Sequence, residues 1–321
     1  MLTRVLSIVT LALGVAFPAT AQEPMKIPRV GFVAPQGRSL PLFDAFKQGL
    51  ADHGYIEGKN IIIEARFAEG NYERFPQIFA ELTAMKVDLV AVTGAVTARA
   101  AKKSLSGVPI VFSVVLDPVT DKVVTNMDQP GGNITGVTCF DPQQATKQLE
   151  LLRETVPNLK RVAILGDQGV SAALINAAEE QARALGLQAQ PLRIAGPNPD
   201  LEAAFAAIKQ QHADALLVLE EPVLGVYAKQ VADMAAKDRL PTVFAPSRVG
   251  AGGLISYGTS QTEAVQHMTA YVDKILKGAS PGTLPVEKVI RYELIVNLKT
   301  AGDIGITIPP NVIRRADRVI K

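Results

Sequence analysis

The side chains able to do chemistry in this chain gather just after apolar runs. Val114-Val115-Leu116 leads into Asp117-Pro118, 215–219 into Glu220-Glu221-Pro222, and 161–165 into Gly166-Asp167-Gln168. A carboxylate at the tip of a buried strand can pair with an ammonium group, although Asp117 can equally cap a turn before Pro118. Adjacent Glu220 and Glu221 suggest acid–base work, yet neighbours on a strand point to opposite faces, so one at most is expected to face a ligand. At Thr93-Gly94-Ala95-Val96-Thr97 an apolar run turns directly into a helical pattern. There the Thr93 hydroxyl and the free N–H groups of 94–97 can hold a carboxylate at the positive helix end, or Thr93 can simply cap the helix. Gln36 follows the first run, Ser247 follows 240–244, and Tyr257 closes a later run with a ring that could stack on a ligand. The expected ligand-binding set is Gln36, Thr93, Gly94, Thr97, Asp117, Asp167, Glu220, Ser247 and Tyr257.

Catalytic signatures are missing. The chain has no G-x-S-x-G elbow, no Walker A lysine loop, no H-E-x-x-H and no G-x-G-x-x-G at a strand end. His53, His212 and His267 are scattered, with no cysteine or carboxylate at ligand spacing, so no metal and no cofactor is expected. Cys139 is the only cysteine, which rules out an intramolecular disulfide and suits a small buried hydrophobe. A net charge of +2 without clustered Lys and Arg argues against a nucleic-acid surface. A binding protein rather than an enzyme is expected.

The elements that must position these residues alternate. Strand patterns at 29–33, 60–64, 87–92 and 108–112 are separated by helical patterns at 42–53, 72–85 and 95–103. In the second helix Phe75, Ile78, Phe79 and Leu82 fall on one face. Uniformly apolar strands divided by helices imply a parallel sheet covered on both faces. The order then recurs: 161–165 echoes 29–33, 213–218 echoes 87–92, and 240–244 echoes 108–112, each displaced by roughly 130 residues, the size of a domain. The fold class expected is therefore α/β, two doubly wound parallel-sheet lobes joined by a multi-strand hinge. In open α/β sheets ligands bind beyond the carboxyl ends of the strands, so the tips of both lobes should face a shared cleft. Glycine and asparagine content places the hinge at Asn133, Thr135 and Gly136, with a second crossing at Gly253. Residues 27–136 plus 254–284 form the expected first lobe, and 137–253 plus 285–321 the second, with one last strand from 287 to 296.

Ahead of the first lobe, Arg4 precedes an apolar run over 5–17, and Ala19-Thr20-Ala21 is a small-x-small site. This is the pattern of a cleavable signal peptide at 1–21, cut after Ala21, too short for a spanning helix. A periplasmic location is expected.

The stretches Gly54-Tyr55-Ile56-Glu57-Gly58-Lys59-Asn60, Asp117-Pro118-Val119, 130–137, Lys274-Ile275-Leu276-Lys277-Gly278 and 297–309 together resemble the tryptophan/tyrosine-type ABC transporter substrate-binding family. The resemblance runs in order through nearly all of the chain after residue 26. It implies a type I periplasmic-binding-protein fold that closes its lobes over a small organic solute, such as an amino acid or aromatic compound, and hands it to a membrane permease. The Thr93-Gly94 turn, Asp117 and the 133–136 crossing match family motifs, whereas Glu220-Glu221-Pro222 stands where members often carry a single Asp or Asn. With no tryptophan in the chain, Tyr257, Phe140 or Tyr227 would have to supply an aromatic wall. A monomer is expected. The alternative, a periplasmic sensor docking to a membrane signalling receptor, would share this fold.

Overall fold

The computed structural model describes residues 26–37, 41–139, 141, 143–289 and 291–321. The signal peptide and cleavage site expected at 1–21, and Phe140, lie outside them. Among the described residues no helix is long and apolar enough to cross a membrane.

The first half runs β1 (Arg29–Ala34), α1 (Leu42–Asp52), β2 (Ile62–Phe67), α2 (Phe75–Ala84), β3 (Leu89–Thr93), α3 (Ala95–Ser104), β4 (Ile110–Val115) and β5 (Ile134–Thr138). The chain continues with α4 (Gln144–Thr155), β6 (Arg161–Asp167), α5 (Ala173–Ala184), β7 (Gln188–Ile194), α6 (Leu201–Gln210), β8 (Ala215–Val218), α7 (Pro222–Val226), α8 (Ala228–Lys237), β9 (Thr242–Phe244) and β10 (Ile255–Thr259). It ends with α9 (Gln261–Leu276), β11 (Glu287–Lys288), β12 (Tyr292–Asn297), α10 (Leu298–Ile304), α11 (Pro310–Arg315) and β13 (Arg318–Ile320).

Two sheets result. The first has the order β2-β1-β3-β4-β5-β11 and the second β7-β6-β8-β9-β10-β12-β13. The first five strands of each lobe thus follow one wiring, and every pair is parallel except β10 with β12. Every residue of β3, β4 and β8 is buried, as strands covered on both faces require. The α2 helix buries Phe75, Ile78, Phe79 and Leu82, the face its spacing predicts. Each such side chain contributes about 1.5–3 kcal/mol of burial.

The wiring moves the expected boundaries. Strand β10 is the second lobe's counterpart of β5, and it stays in the second sheet although 254–284 is expected in the first lobe. The chain crosses after each of these fifth strands: α4 leaves β5 to pack on β10 and α5, and α9 leaves β10 to pack on α1 and β4. The run expected as one strand over 287–296 is two, β11 in the first sheet and β12 in the second, with the third crossing between them.

None of the four residues expected as hinge stands at a crossing. Asn133 lies within the first lobe and donates from Nδ2 to the Leu105 and Val108 carbonyls, both at 2.7 Å. Thr135 donates to the Leu284 carbonyl at 2.7 Å. Gly136 is required by a close approach: a Cβ there would lie 2.1 Å from the Phe112 carbonyl oxygen. The cause is a bulge in β4, whose register with β5 shifts between Phe112 and Val115. Gly253 belongs to the second lobe, where a Cβ would sit 2.3 Å from the Phe244 ring. Glycine content marked crowding, not bending.

Candidate functional site

Between the lobes lies a cavity of about 200 Å³. Gln36, Gly94, Ala95, Val96, Val114, Leu116 and Asp117 line it from the first lobe, and Val170, Ser171, Leu174, Glu220 and Glu221 from the second. Both sets follow strand tips, where an open α/β sheet binds its ligands. A second chamber of about 190 Å³ shares Leu116, Leu174, Ala177 and Glu220 and reaches on to Gln144 and Gln148. The walls are mostly apolar, with few polar groups, as in a small-molecule pocket.

On the first-lobe wall, the β4 bulge sets Val114 at φ 58°, the left-handed region. For a β-branched residue that conformation costs on the order of 1–3 kcal/mol, and such strain collects where it shapes a site. Beside it, α3 begins at the cavity. Its N-cap is Gly94 at φ 80°, and among the described residues no side chain caps it. The first-turn N–H groups have no intrahelical partner, and Gly94, Ala95 and Val96 line the cavity at the positive end of the helix. The Gly94 N–H itself, expected to be free, donates to the Ser113 carbonyl at 2.9 Å. Thr93 and Thr97, expected as ligand contacts, are fully buried behind this wall, and their hydroxyls find no partner among the described residues. Thr93 does not cap the helix, because the glycine takes that position.

Gln36 does reach the cavity, 4% exposed, its amide oxygen without a partner among the described residues. Gln261, at the first position of α9, does the same at 2% exposure. Sequence reasoning missed Gln261; its signal was a glutamine directly after the cap residue Ser260. Asp117 lines the rim, but its Oδ1 accepts the Thr120 N–H at 3.0 Å, which is the turn-capping role. Asp121 also lines the rim and pairs with Arg99 at 3.4 Å.

On the second-lobe wall both glutamates face the cavity, contrary to the expectation of one. Strand alternation does not apply, because β8 ends at Val218 and the pair lies in the turn into α7. Glu220 accepts from Gln144 Nε2 at 3.3 Å and from the Ser247 hydroxyl at 3.3 Å. What exposure it has faces the two chambers it lines, and burial holds its carboxyl above the ordinary range, against the opposing pull of Arg248, Gln144 and Ser247. Ser247 thus positions Glu220 and does not line the cavity. Glu221 is 3% exposed and accepts the Asp167 backbone N–H. Burial pushes it up to about 8. Beneath them, buried Arg248 donates to the Glu221 carbonyl at 3.2 Å. A Cβ on Gly225 would lie 2.2 Å from its Nη1, so the absent side chain in α7 makes room for the guanidinium.

Two further expected contacts stand elsewhere. Asp167 is 1% exposed beside the cavity, accepting hydrogen bonds from the Tyr72 hydroxyl and from the N–H groups of Gly169 and Val223. Tyr257 faces away, stacked on Tyr292 at 5.8 Å in an outer groove with Lys147 and Glu150, because β10 pairs with β12 there. Tyr227 donates to the Pro197 carbonyl and lies outside the cavity. Cys139 is fully buried, and burial followed by the Glu220 charge raises its thiol to about 12, too high for a nucleophile near neutral pH.

The hinge is built where the crossings meet. Thr259 at the end of β10 donates from Oγ1 to the Cys139 carbonyl at 2.9 Å, and its N–H donates to Gln144 Oε1 at 3.1 Å. Ser260 N–H donates to the Arg291 carbonyl, and Val289 N–H to the Thr138 carbonyl, both at 2.9 Å. Gln144 joins this hinge to Glu220.

A family model described as ABC transporter substrate binding protein matches residues 36–320. A tyrosine-binding protein of Clostridioides difficile (strain R20291) is 24% identical over 267 residues, 81% of this chain and 76% of that protein. A conserved domain protein from Vibrio cholerae superposes with a TM-score of 0.84 at 28% identity, over 92% of this chain and 100% of that one. An ABC domain from Streptococcus pneumonia, solved in complex with L-Trp, superposes with a TM-score of 0.82 at 24% identity, over 91% and 99%.

Proposed function

Because the chain belongs to the ABC transporter substrate-binding protein family and has the type I periplasmic-binding-protein fold, we propose that it is the exported solute-binding component of an ABC importer, and that its solute is a small amino acid with an apolar or aromatic side chain. One observation carries the ligand class. The uncapped N-terminus of α3 and the carboxyl of Glu220 stand on opposite walls of one cavity. The first suits a carboxylate, and the second, whose hydrogen-bond donors Gln144 and Ser247 are neutral although the Arg248 charge also acts on it, suits an ammonium group. Gln36 and Gln261 add acceptors for the same ammonium. The apolar remainder, with its second chamber, takes the side chain. The names of the relatives, one tyrosine-binding and one solved with L-Trp, support the same class.

A solute touching both walls binds the closed arrangement better than the open one, and that differential affinity drives closure. The closed surface is then offered to a membrane permease. Export rests on the N-terminal pattern of Arg4, the apolar run and Ala19-Thr20-Ala21; N-terminal sequencing of periplasmic protein should begin at Gln22.

The ligand class is tested by calorimetry with three probes. L-tyrosine should bind, while tyramine, lacking the carboxylate, and 3-(4-hydroxyphenyl)propionate, lacking the amine, should each bind far more weakly. Tyramine binding as tightly as tyrosine would remove the α3 corner from the site. A bound solute at a hundredfold its Kd should raise stability by about 2.7 kcal/mol in a thermal-shift assay.

A further inference from the structure

Tyr72 belongs to the first lobe, in a single 3-10 turn after β2, yet it packs against the hydrophobic cores of both lobes. Its ring stacks on Phe75 at 6.0 Å and 4°, which fixes its direction. From there its hydroxyl donates across the cleft edge to Asp167, at the end of β6. Burial and the Asp167 charge hold this phenol above its ordinary range, so it keeps the proton it donates.

The surrounding backbone is cut to fit this contact. A Cβ on Gly169 would lie 2.3 Å from the Tyr72 ring, and one on Gly196 would lie 2.6 Å from the Gly70 carbonyl oxygen. Neither glycine is among those with positive φ, so neither is needed for its own conformation. At Gly169 the nearest clash comes from the other lobe, whereas a Cβ on Gly196 would meet both the first-lobe Gly70 carbonyl and, at 2.7 Å, Val223 of its own lobe. The loop that carries the acceptor is held from behind, where Arg193 Nη2 donates to the carbonyls of Asp167, Gln168 and Val170 at 3.0, 3.2 and 2.6 Å. That loop continues into Val170 and Ser171, which line the cavity, whereas Tyr72 does not.

We propose that Tyr72 is an interlobe latch, a positioning residue that closes the lobes through Asp167 and holds a measurable closed population before any solute enters. The latch is independent of which solute the cavity takes, and it rests on the cleft reading only for what closure serves. By removing part of the conformational cost of binding, it would tighten the apparent affinity for any solute that needs the closed form.

The test is a distance measurement by double electron–electron resonance on protein without solute. Spin labels at Gln77→Cys and Glu202→Cys, both exposed and one on each lobe, report opening, while buried Cys139 stays unlabelled. The wild type should show a short and a long distance. Tyr72→Phe keeps the stacked ring and removes the hydroxyl, and should lower the closed-to-open ratio about tenfold, the scale of one charge-assisted hydrogen bond. Gly169→Ala should remove the short distance without lowering the melting temperature of the open protein. As a control, Tyr55→Phe deletes a tyrosine hydrogen bond to Asp273 inside the first lobe and should leave the ratio unchanged. The latch is overturned if the wild type shows only the long distance, if Tyr72→Phe matches the wild type, or if Tyr55→Phe shifts the ratio as much. Failure of L-tyrosine to bind an otherwise latching protein would count against the solute reading alone.

Discussion

At the tips of β1, β3 and β4 the first lobe meets the cavity mainly with backbone and neutral groups: Gly94, Val96, Val114, Leu116 and the amide of Gln36. Its two carboxylates there are already engaged within the lobe, Asp117 by the Thr120 N–H and Asp121 by Arg99. The second lobe, wired the same way, meets the cavity with Glu220 and Glu221, and burial raises both carboxyl groups. One fold thus carries two unlike walls, a fixed dipole on one side and titratable side chains on the other. A helix terminus cannot be switched off by protonation, whereas a buried carboxyl can. Anion recognition in the first lobe should therefore be insensitive to pH, and cation recognition in the second should not.

The hardest test of this contrast is Glu220→Gln. The amide keeps the size and loses the charge, so binding of an amine-bearing solute such as L-tyrosine should weaken about a hundredfold, close to 3 kcal/mol, within the range for a desolvated charged pair. Calorimetry on the variant decides it, and unchanged affinity would show that the second wall does not supply the counter-charge.

Glu221 gives the next largest effect, on stability rather than affinity. Burial raises its carboxyl from 4.5 to about 8, so the folded protein keeps a proton that the unfolded chain releases above pH 4.5. The stability this contributes is whole below pH 4.5 and is lost as pH rises through 8, a decline on the order of a few kcal/mol. Melting temperatures without solute should fall over that window, and Glu221→Gln should flatten the fall. An equally steep fall in the variant would assign the dependence to other groups.

The contrast between the lobes was only half legible in the sequence. Strand patterns gave the two lobes and their order because burial on both faces writes itself into continuous apolar runs, as at 89–93 and 215–218. The same runs gave Gln36, Gly94, Asp117 and Glu220 at the cavity, since each follows directly from a strand end. What escaped depends on partners distant in the chain. Tyr257 looked like a strand tip but is turned outward by the antiparallel pairing of β10 with β12, which no local pattern announces. Strand β7, with Pro191 and three polar residues among its seven, carries no continuous apolar run because it is an edge strand. The glycine-rich stretches read as hinges, whereas Gly136 and Gly253 answer crowding from Phe112 and Phe244, visible only once the strands are paired.

Gly136 offers a smaller test on the first wall. An added methyl meets a backbone carbonyl rather than a flexible side chain, so Gly136→Ala should destabilise by about 2 kcal/mol, in the range for overpacking. The bulge that aims Val114 into the cavity would shift with it, so affinity should fall as well. Urea unfolding and calorimetry report the two effects, and a variant with unchanged stability would show that the β4–β5 approach can relax.

The smallest effect expected is at Asp117, and it separates the two kinds of wall most finely. Asp117 stands at the rim of the cavity, so a direct role with an ammonium group would make Asp117→Ala as damaging as the loss of Glu220. Its geometry indicates otherwise. One carboxylate oxygen is occupied by the Thr120 N–H, and the Asp117 carbonyl accepts from Asp121 N–H at 2.9 Å, so the residue organises the turn that follows β4. Removing such a cap costs about 0.5–1 kcal/mol of stability. Affinity for L-tyrosine should change by no more than about threefold, since less than 1 kcal/mol separates such values. A loss as large as that of Glu220→Gln would place a working carboxylate on the first wall and erase the difference between the lobes.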